Sequence, residues 1–180
     1  MSKKVLIIST SPRKNGNSEI LADEFARGAK EAGNIVEKIS LCDKTVSFCK
    51  GCLACQKTQR CVINDDVNMI TEKMLSAEVI VFATPVYFYE MCGQMKTLLD
   101  RSNTLYLSDY MFRDVYILAA AADNEESAMN GAVNGLQGWI ACFEKVRLAG
   151  TIFAGGVEAA GEIKGHSSLK KAYDMGMKIK

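Results

Sequence analysis

The stretch from Lys4 to Glu19, KVLIISTSPRKNGNSE, constrains this chain more than any other. Four consecutive apolar residues, Val5 to Ile8, run into a loop of Ser, Thr, Arg, Asn and Gly, and a helical pattern begins at Ser18. A continuous apolar run suits a strand buried on both faces, as in a parallel sheet, and the loop between such a strand and a helix is where α/β sheets bind ligands. The first-turn N–H groups of the helix lack internal partners and carry the positive end of its dipole, so they bind an anion. Ser9, Thr10, Ser11 and Ser18 add hydroxyls, Asn15 and Asn17 add amides, and Arg13 adds a cationic fork matched to phosphate oxygens. Neither GxxxxGK[ST] nor GxGxxG occurs, and the loop has only one glycine, Gly16. A terminal monophosphate is favoured over a triphosphate or a pyrophosphate. The same loop also reads as an ordinary strand-to-helix connection with a capping residue.

The rest of the chain alternates strand and helix. Leu21, Phe25, Ala29 and Ala32 mark one face of a helix closed by Gly33-Asn34, and Ile35 to Leu41 alternates as a strand. A cysteine-rich loop follows, then a capping cluster Asn64-Asp65-Asp66 ahead of a helix carrying Val67, Ile70, Met74 and Ala77. Val79 to Ala83 and Val115 to Ala122 are apolar strands, with a helix from about Gln94 to Asn103 between them. Met129 to Phe143 marks a long helix, Val146 to Ala154 a last strand, and Ser168 to Lys178 a closing helix; residues 155–167 form a Gly-rich loop holding the only histidine, His166. Five strands alternating with five helices make a doubly wound parallel α/β sheet, because parallel neighbours need a crossover and the helices cover both faces.

At 180 residues the chain is expected to form one domain, 1–180. With 22 basic against 21 acidic residues and no charge block, it offers no field for nucleic acid or an anionic membrane. Met1 to Thr10 is too weakly apolar for a signal-peptide core, and no run approaches the ~18 residues of a membrane span, so a cytoplasmic protein is expected. Seven cysteines in such a setting mean thiols, metal or redox chemistry more readily than disulfides.

Three loops should reach the carboxyl edge of the sheet: Thr10–Ser18, Thr84–Gly93 and Ala121–Glu126. In the second, Pro85 stiffens the turn while Tyr87, Phe88 and Tyr89 supply flat apolar surface beside exposed amides. A phosphate cradle beside an aromatic wall suits a flat heterocycle with one phosphate, of which FMN is the common example. Tyr87 and Phe88 equally suit core or dimer packing.

The sequence resembles the NADPH-dependent FMN reductase group of the flavodoxin-like superfamily, especially its iron–sulfur flavoprotein branch. The resemblance is carried by STSPRKNGNS at 9–18, CKGCLACQKTQRCVINDD at 49–66, ATPVYFYEMCGQMKTLLDR at 83–101 and GGVEAAGEIKGH at 155–166. It implies a flavodoxin-like strand order 2-1-3-4-5. By it, Ser11, Arg13, Asn15, Asn17 and Ser18 would hold the FMN phosphate. Pro85, Val86, Tyr87 and Phe88 would line the isoalloxazine, and Ala122 and Asp123 would approach its far edge. Thr10 stands where the family usually has glycine. The resemblance also implies a homodimer or homotetramer with the flavin near a subunit boundary.

Cys49, Cys52, Cys55 and Cys61 make C-x2-C-x2-C-x5-C, similar to the cluster-binding motif of iron–sulfur flavoproteins. Such compact spacing lets one loop wrap a 4Fe-4S cubane and fits zinc less well. It fits packed free thiols too, and Cys42, Cys92 and Cys142 read as core thiols. His166 reads as a surface-loop residue, and Asp100-Arg101 as a cap, ion pair or flavin-edge group. The expected function is an FMN-dependent oxidoreductase in which NAD(P)H delivers hydride to the flavin N5 and electrons pass to a small acceptor, such as free flavin or a quinone, or to a redox protein. No side chain need act as nucleophile or base, since the cofactor does the chemistry. The alternatives are an electron-transfer module with a 4Fe-4S cluster fed by a ferredoxin-like donor, and a flavin-free thiol or zinc sensor. An acidic flavodoxin-type carrier is disfavoured by the near-zero net charge.

Overall fold

The computed structural model describes residues 2–180; Met1, the first residue of the expected domain, lies outside them. The strands are β1 (Lys4–Ser9), β2 (Ile35–Ser40), β3 (Val79–Tyr87), β4 (Glu90–Met91), β5 (Asp114–Ala120) and β6 (Arg147–Ala154). The helices are α1 (Asn17–Glu31), α2 (Cys55–Thr58), α3 (Val67–Ser76), α4 (Gly93–Arg101), α5 (Asn130–Ile140) and α6 (Ser167–Met177). Five strands run parallel in the order β2-β1-β3-β5-β6, and β4 folds back antiparallel on the end of β3. This is the flavodoxin-like order. Among the described residues no helix is long and apolar enough to cross a membrane.

Alternation along the strands divides the core in two. Val5, Ile7, Val79, Val81 and Leu118 pack with Leu21, Phe25 and Ala172 of α1 and α6. Leu6, Ile8, Ile80, Phe82 and Ile117 pack on the other face with Ile70, Met95 and Leu136 of α3, α4 and α5. Because both faces are covered, the central strands are apolar at every position rather than at alternate ones.

The strand order reverses between β1 and β3, so the chain leaves β1 for one face and enters β3 from the other. The carboxyl ends come level there: Ser9 pairs with Ala83, Thr84 with Ala119 and Pro85 with Ala120. A crevice at this switch point is the consequence. The strand expected at Val79–Ala83 extends to Tyr87, because Thr84 and Pro85 still pair with β5 while Val86 and Tyr87 pair with Met91 and Glu90.

Helices α1 and α6 touch backbone to backbone. A Cβ on Gly176 would lie 2.2 Å from the Phe25 carbonyl oxygen, and one on Gly28 would lie 2.1 Å from that of Tyr173. Gly176→Val must therefore push α6 off α1, and it is expected to cost about 1–3 kcal/mol, as overpacked cores do. A thermal melt checks this; an unchanged midpoint would mean that the two helices separate freely.

Candidate functional site

A cavity of about 210 Å³ opens at the switch point. On its β1 side Ser11, Arg13, Gly16, Asn17 and Ser18 form the lining. The first helical bond of α1 here runs from Ile20 N–H to the Gly16 carbonyl, so the N–H groups of Asn17, Ser18 and Glu19 precede the ladder, the position from which a helix N-terminus receives an anion. Ser18 is buried, yet its Oγ has no hydrogen-bond partner. An unsatisfied buried hydroxyl costs stability, and at a helix N-terminus beside a cavity it is a group that a ligand oxygen would satisfy. Gly16 is required by crowding: a Cβ there would sit 2.7 Å from Ser11 Oγ and 3.2 Å from the Arg13 carbonyl oxygen. Ser11 Oγ braces the turn, accepting from Arg13 N–H at 3.1 Å and donating to the Arg13 carbonyl at 3.2 Å. These residues fit a phosphate monoester. Asn15, at a left-handed φ of 54°, turns the loop and donates its N–H to Glu19 Oε2 at 2.8 Å; it is not part of the lining.

Thr10, at the end of β1, is tied into the sheet. Its N–H and Oγ1 both reach the Ala83 carbonyl, at 2.8 and 3.0 Å, and the buried Cys92 thiol packs 3.2 Å from Oγ1. The ends of β1, β3 and α4 are thereby pinned together under the cavity.

Pro85, Val86 and Tyr87 form the opposite wall, and Ala120, Ala121 and Ala122 the floor, where small side chains leave room for a flat ring. Phe88 and Asp123 are not among the lining residues. Phe88 projects into solvent from the tip of the β3–β4 hairpin, and Asp123 accepts a hydrogen bond from Tyr89 Oη at 3.2 Å, linking that tip to the loop after β5.

The third wall, Val157, Glu158 and Ala160, has no counterpart among the sequence-based candidates. It comes from the loop read as irregular, which is latched onto the phosphate loop. Arg13 Nη1 donates to the Glu158 carbonyl at 2.9 Å, Asn17 Nδ2 donates to the Ala159 carbonyl at 2.9 Å, and Asn17 Oδ1 accepts from Ile163 N–H at 3.2 Å. Asn17 thus holds the wall with its side-chain amide. The N–H groups of Glu158 and Ala159 donate to Glu162 and hold its carboxyl below the ordinary range. His166 caps α6, its Nδ1 accepting from Ser168 N–H.

Residues 49–61 carry four of the free cysteines. Cys49, Cys52, Cys55 and Cys61 line one recess, but among the described residues no three Cys, His, Asp or Glu side chains gather closely enough to hold a metal ion. Left-handed turns at Gly51, Leu53 and Gln59 present the thiols from separate points of the loop, and Cys55 Sγ accepts from Asn103 Nδ2 at 3.3 Å. Cys142 is exposed and Cys42 half-buried, so of the three expected core thiols only Cys92 is one.

The loop's anchor is an ion pair. Arg101, fully buried, forks onto Asp65 with Nη1–Oδ2 at 2.8 Å and Nη2–Oδ1 at 2.9 Å, and Nη1 also donates to the Ser47 carbonyl at 2.7 Å. Burial alone would raise the Asp65 carboxyl, but hydrogen bonds from Arg101 and from the N–H groups of Ser47 and Val67 outweigh it and hold the pKa down to about 2. Burial likewise pulls the Arg101 guanidinium down, and Asp65 reverses this, leaving it above its ordinary range.

A larger depression of about 730 Å³ lies between the free edge of β6 and α6. It mixes Lys171 and Lys178 with Asp174 and Glu126 and lies away from the carboxyl ends of β1 and β3, so the chemistry points to the switch-point cavity.

A doubly wound sheet in this strand order, with a crevice at its switch point lined by residues that fit a phosphate monoester, defines a flavodoxin-like fold. The chain belongs to the NADPH-dependent FMN reductase family, whose sequence pattern matches residues 3–157. It is 43% identical over 102 residues to an iron–sulfur flavoprotein of Methanocaldococcus jannaschii, covering 57% of this chain and 53% of the relative. It is 37% identical over 111 residues to an iron–sulfur flavoprotein of Methanosarcina thermophila, covering 62% and 58%. The chain thus spans little more than half the length of these relatives. In fold it is similar to an NAD(P)H:quinone oxidoreductase from Methanothermobacter marburgensis, with a TM-score of 0.74 at 16% identity over 100% of both chains.

Proposed function

We propose that residues 1–180 form one FMN-binding unit that acts, in the cytoplasm, as an NAD(P)H-dependent oxidoreductase. Electrons would pass to a small acceptor such as free flavin or a quinone, or to a redox protein. The observation that carries this reading is the buried, partnerless Ser18 Oγ at the start of α1, beside Ser11 and Arg13. Ser11, Ser18 and the N–H groups of Asn17 to Glu19 would hold the phosphate, with Arg13 supplying charge and Asn15 shaping the loop. Pro85, Val86 and Tyr87 would face the ring, Ala121 and Ala122 would lie beneath its edge, and Asp123 would steady the rim. FMN held there supplies hydride acceptance from reduced nicotinamide and onward electron delivery. The protein's part is to bind, orient and shield. The family's name supports a nicotinamide donor, and an exposed aromatic tip at 88–89 supports a homodimer or homotetramer.

A second reading, an electron-transfer module with a 4Fe-4S cluster on Cys49, Cys52, Cys55 and Cys61, draws support from the relatives' names and the spacing of the thiols. The four thiols line one recess, with no site for a single metal ion among the described residues. Mixing FMN-loaded protein with NADPH or NADH without oxygen, then adding a quinone, tests the first reading. Bleaching of the flavin band and its return on quinone addition are expected. Reduction by a low-potential ferredoxin but by neither nicotinamide, with about four irons per chain, would replace it with the second.

A further inference from the structure

The segment after β6 closes one flank of the switch-point cavity and is tied down at both ends. Where it leaves the strand, Gly156 N–H donates to the Asp123 carbonyl at 3.2 Å and Val157 N–H to the Ala121 carbonyl at 2.9 Å, which fixes it to the floor. At its far end Ile163 N–H donates to Asn17 Oδ1 at 3.2 Å, and the side chains of Val157 and Ile163 are buried in the core cluster of α1. Between these anchors the carbonyls of Glu158 and Ala159 accept from Arg13 Nη1 and Asn17 Nδ2, both at 2.9 Å. The wall therefore runs from the floor to the first turn of α1, the turn that would receive the phosphate.

Glu162 decides which way this wall faces. Its Oε2 accepts from Glu158 N–H at 2.7 Å and from Ala159 N–H at 2.8 Å. The Ala159 N–H and the Glu158 carbonyl are opposite ends of one trans peptide, so holding the first on Glu162 aims the second at Arg13. With those two N–H groups used up, the wall turns carbonyl oxygens toward the phosphate loop. Carboxylates add to them, since Glu158 is in the lining and Glu19 stands in the first turn of α1. Donors for one anion are thus bordered by oxygen atoms that would repel a second anion beside it.

A phosphate monoester presents three terminal oxygens to such a site. In a dinucleotide one of the three becomes the bridge to a second phosphate, which must then lie along a flank. We propose that the wall 157–163, aimed by Glu162, makes the site selective for flavin mononucleotide over flavin adenine dinucleotide. This selectivity rests on the FMN reading and deepens it. It works by penalising the wrong ligand rather than by adding a contact to the right one.

Titration of the flavin-free chain with FMN and with FAD tests it, in the wild type and in Glu162→Ala and Glu162→Gln. The wild-type chain should bind FAD about a hundredfold more weakly than FMN. Glu162→Ala releases both N–H groups, so FAD binding should tighten about tenfold while FMN binding changes by less than about threefold. Glu162→Gln keeps an acceptor oxygen and should keep the wild-type preference. Hydrogen exchange at the Glu158 and Ala159 amides should speed up in Glu162→Ala and stay slow in Glu162→Gln. Equal affinities for the two flavins in the wild type would overturn the inference. So would unaltered exchange in Glu162→Ala, because another group would then fix the wall, and so would faster exchange with an unchanged ratio of the two affinities, because the wall would then be scaffold alone. A chain that takes up neither flavin fails the proposed function and this inference with it, whereas one that takes up both equally fails the inference alone.

Discussion

Arg101→Met is expected to destabilise the folded chain by about 3–5 kcal/mol, the usual cost of leaving one member of a buried ion pair uncompensated. Arg101 is fully buried and its partner Asp65 nearly so. The substitution removes both forked hydrogen bonds to Asp65 together with the bond to the Ser47 carbonyl, and methionine returns only volume. Urea denaturation at neutral pH measures the loss; a change below about 1 kcal/mol would place the pair among weak surface bridges. Replacing both partners, with Asp65→Leu added, should recover much of the loss, because no stranded charge then remains. The pair also sets an acid limit. The Asp65 pKa is depressed from an ordinary 3.8 to about 2, so its contribution is complete above about pH 4 and disappears as pH falls toward 2. Asp65→Asn should flatten the stability curve in that window and leave its shape at higher pH unchanged.

Ser18→Ala should weaken FMN binding by roughly 10- to 100-fold, the value of a hydrogen bond to a charged oxygen. Its effect on the flavin-free fold should be neutral or slightly stabilising, because the hydroxyl removed has no partner there. This opposition separates a ligand role from a structural one. A loss of stability as large as the loss of affinity would make Ser18 a part of the scaffold instead. Calorimetric titration and a melt of the same flavin-free sample give both numbers.

The sheet was legible because its strands announce themselves locally. Val5–Ile8, Val79–Ala83 and Val115–Ala120 are apolar at every position, a pattern imposed by burial on two faces, and the helices between them keep a 3.6-residue period. The β1–α1 wall of the cavity was legible for the same reason, since Ser11, Arg13 and Ser18 are neighbours in sequence. The third wall was not. Arg13 meets Glu158 145 residues away and Asn17 meets Ile163 146 residues away, through backbone groups that carry no residue-type signal. The Asp65–Arg101 pair, 36 residues apart, was visible only as two charges with open roles.

Two local readings did not foresee a backbone turn. Cysteine spacing counts residues, but the left-handed turns at Gly51 and Leu53 decide where the thiols point. Phe88 was expected in the cavity wall, yet a turn that its own residue type disfavours carries it past the wall and into solvent. Such conflicts between local preference and the tertiary fold concentrate where a protein meets its ligands.

The most direct test of the central claim is a titration of the flavin-free chain with FMN and, in parallel, with riboflavin, which differs only in lacking the phosphate. If the start of α1 is a phosphate cradle, FMN should bind about a hundredfold tighter or more, as several charge-assisted hydrogen bonds are lost together. Equal affinities for the two flavins, or no binding of either, would contradict it.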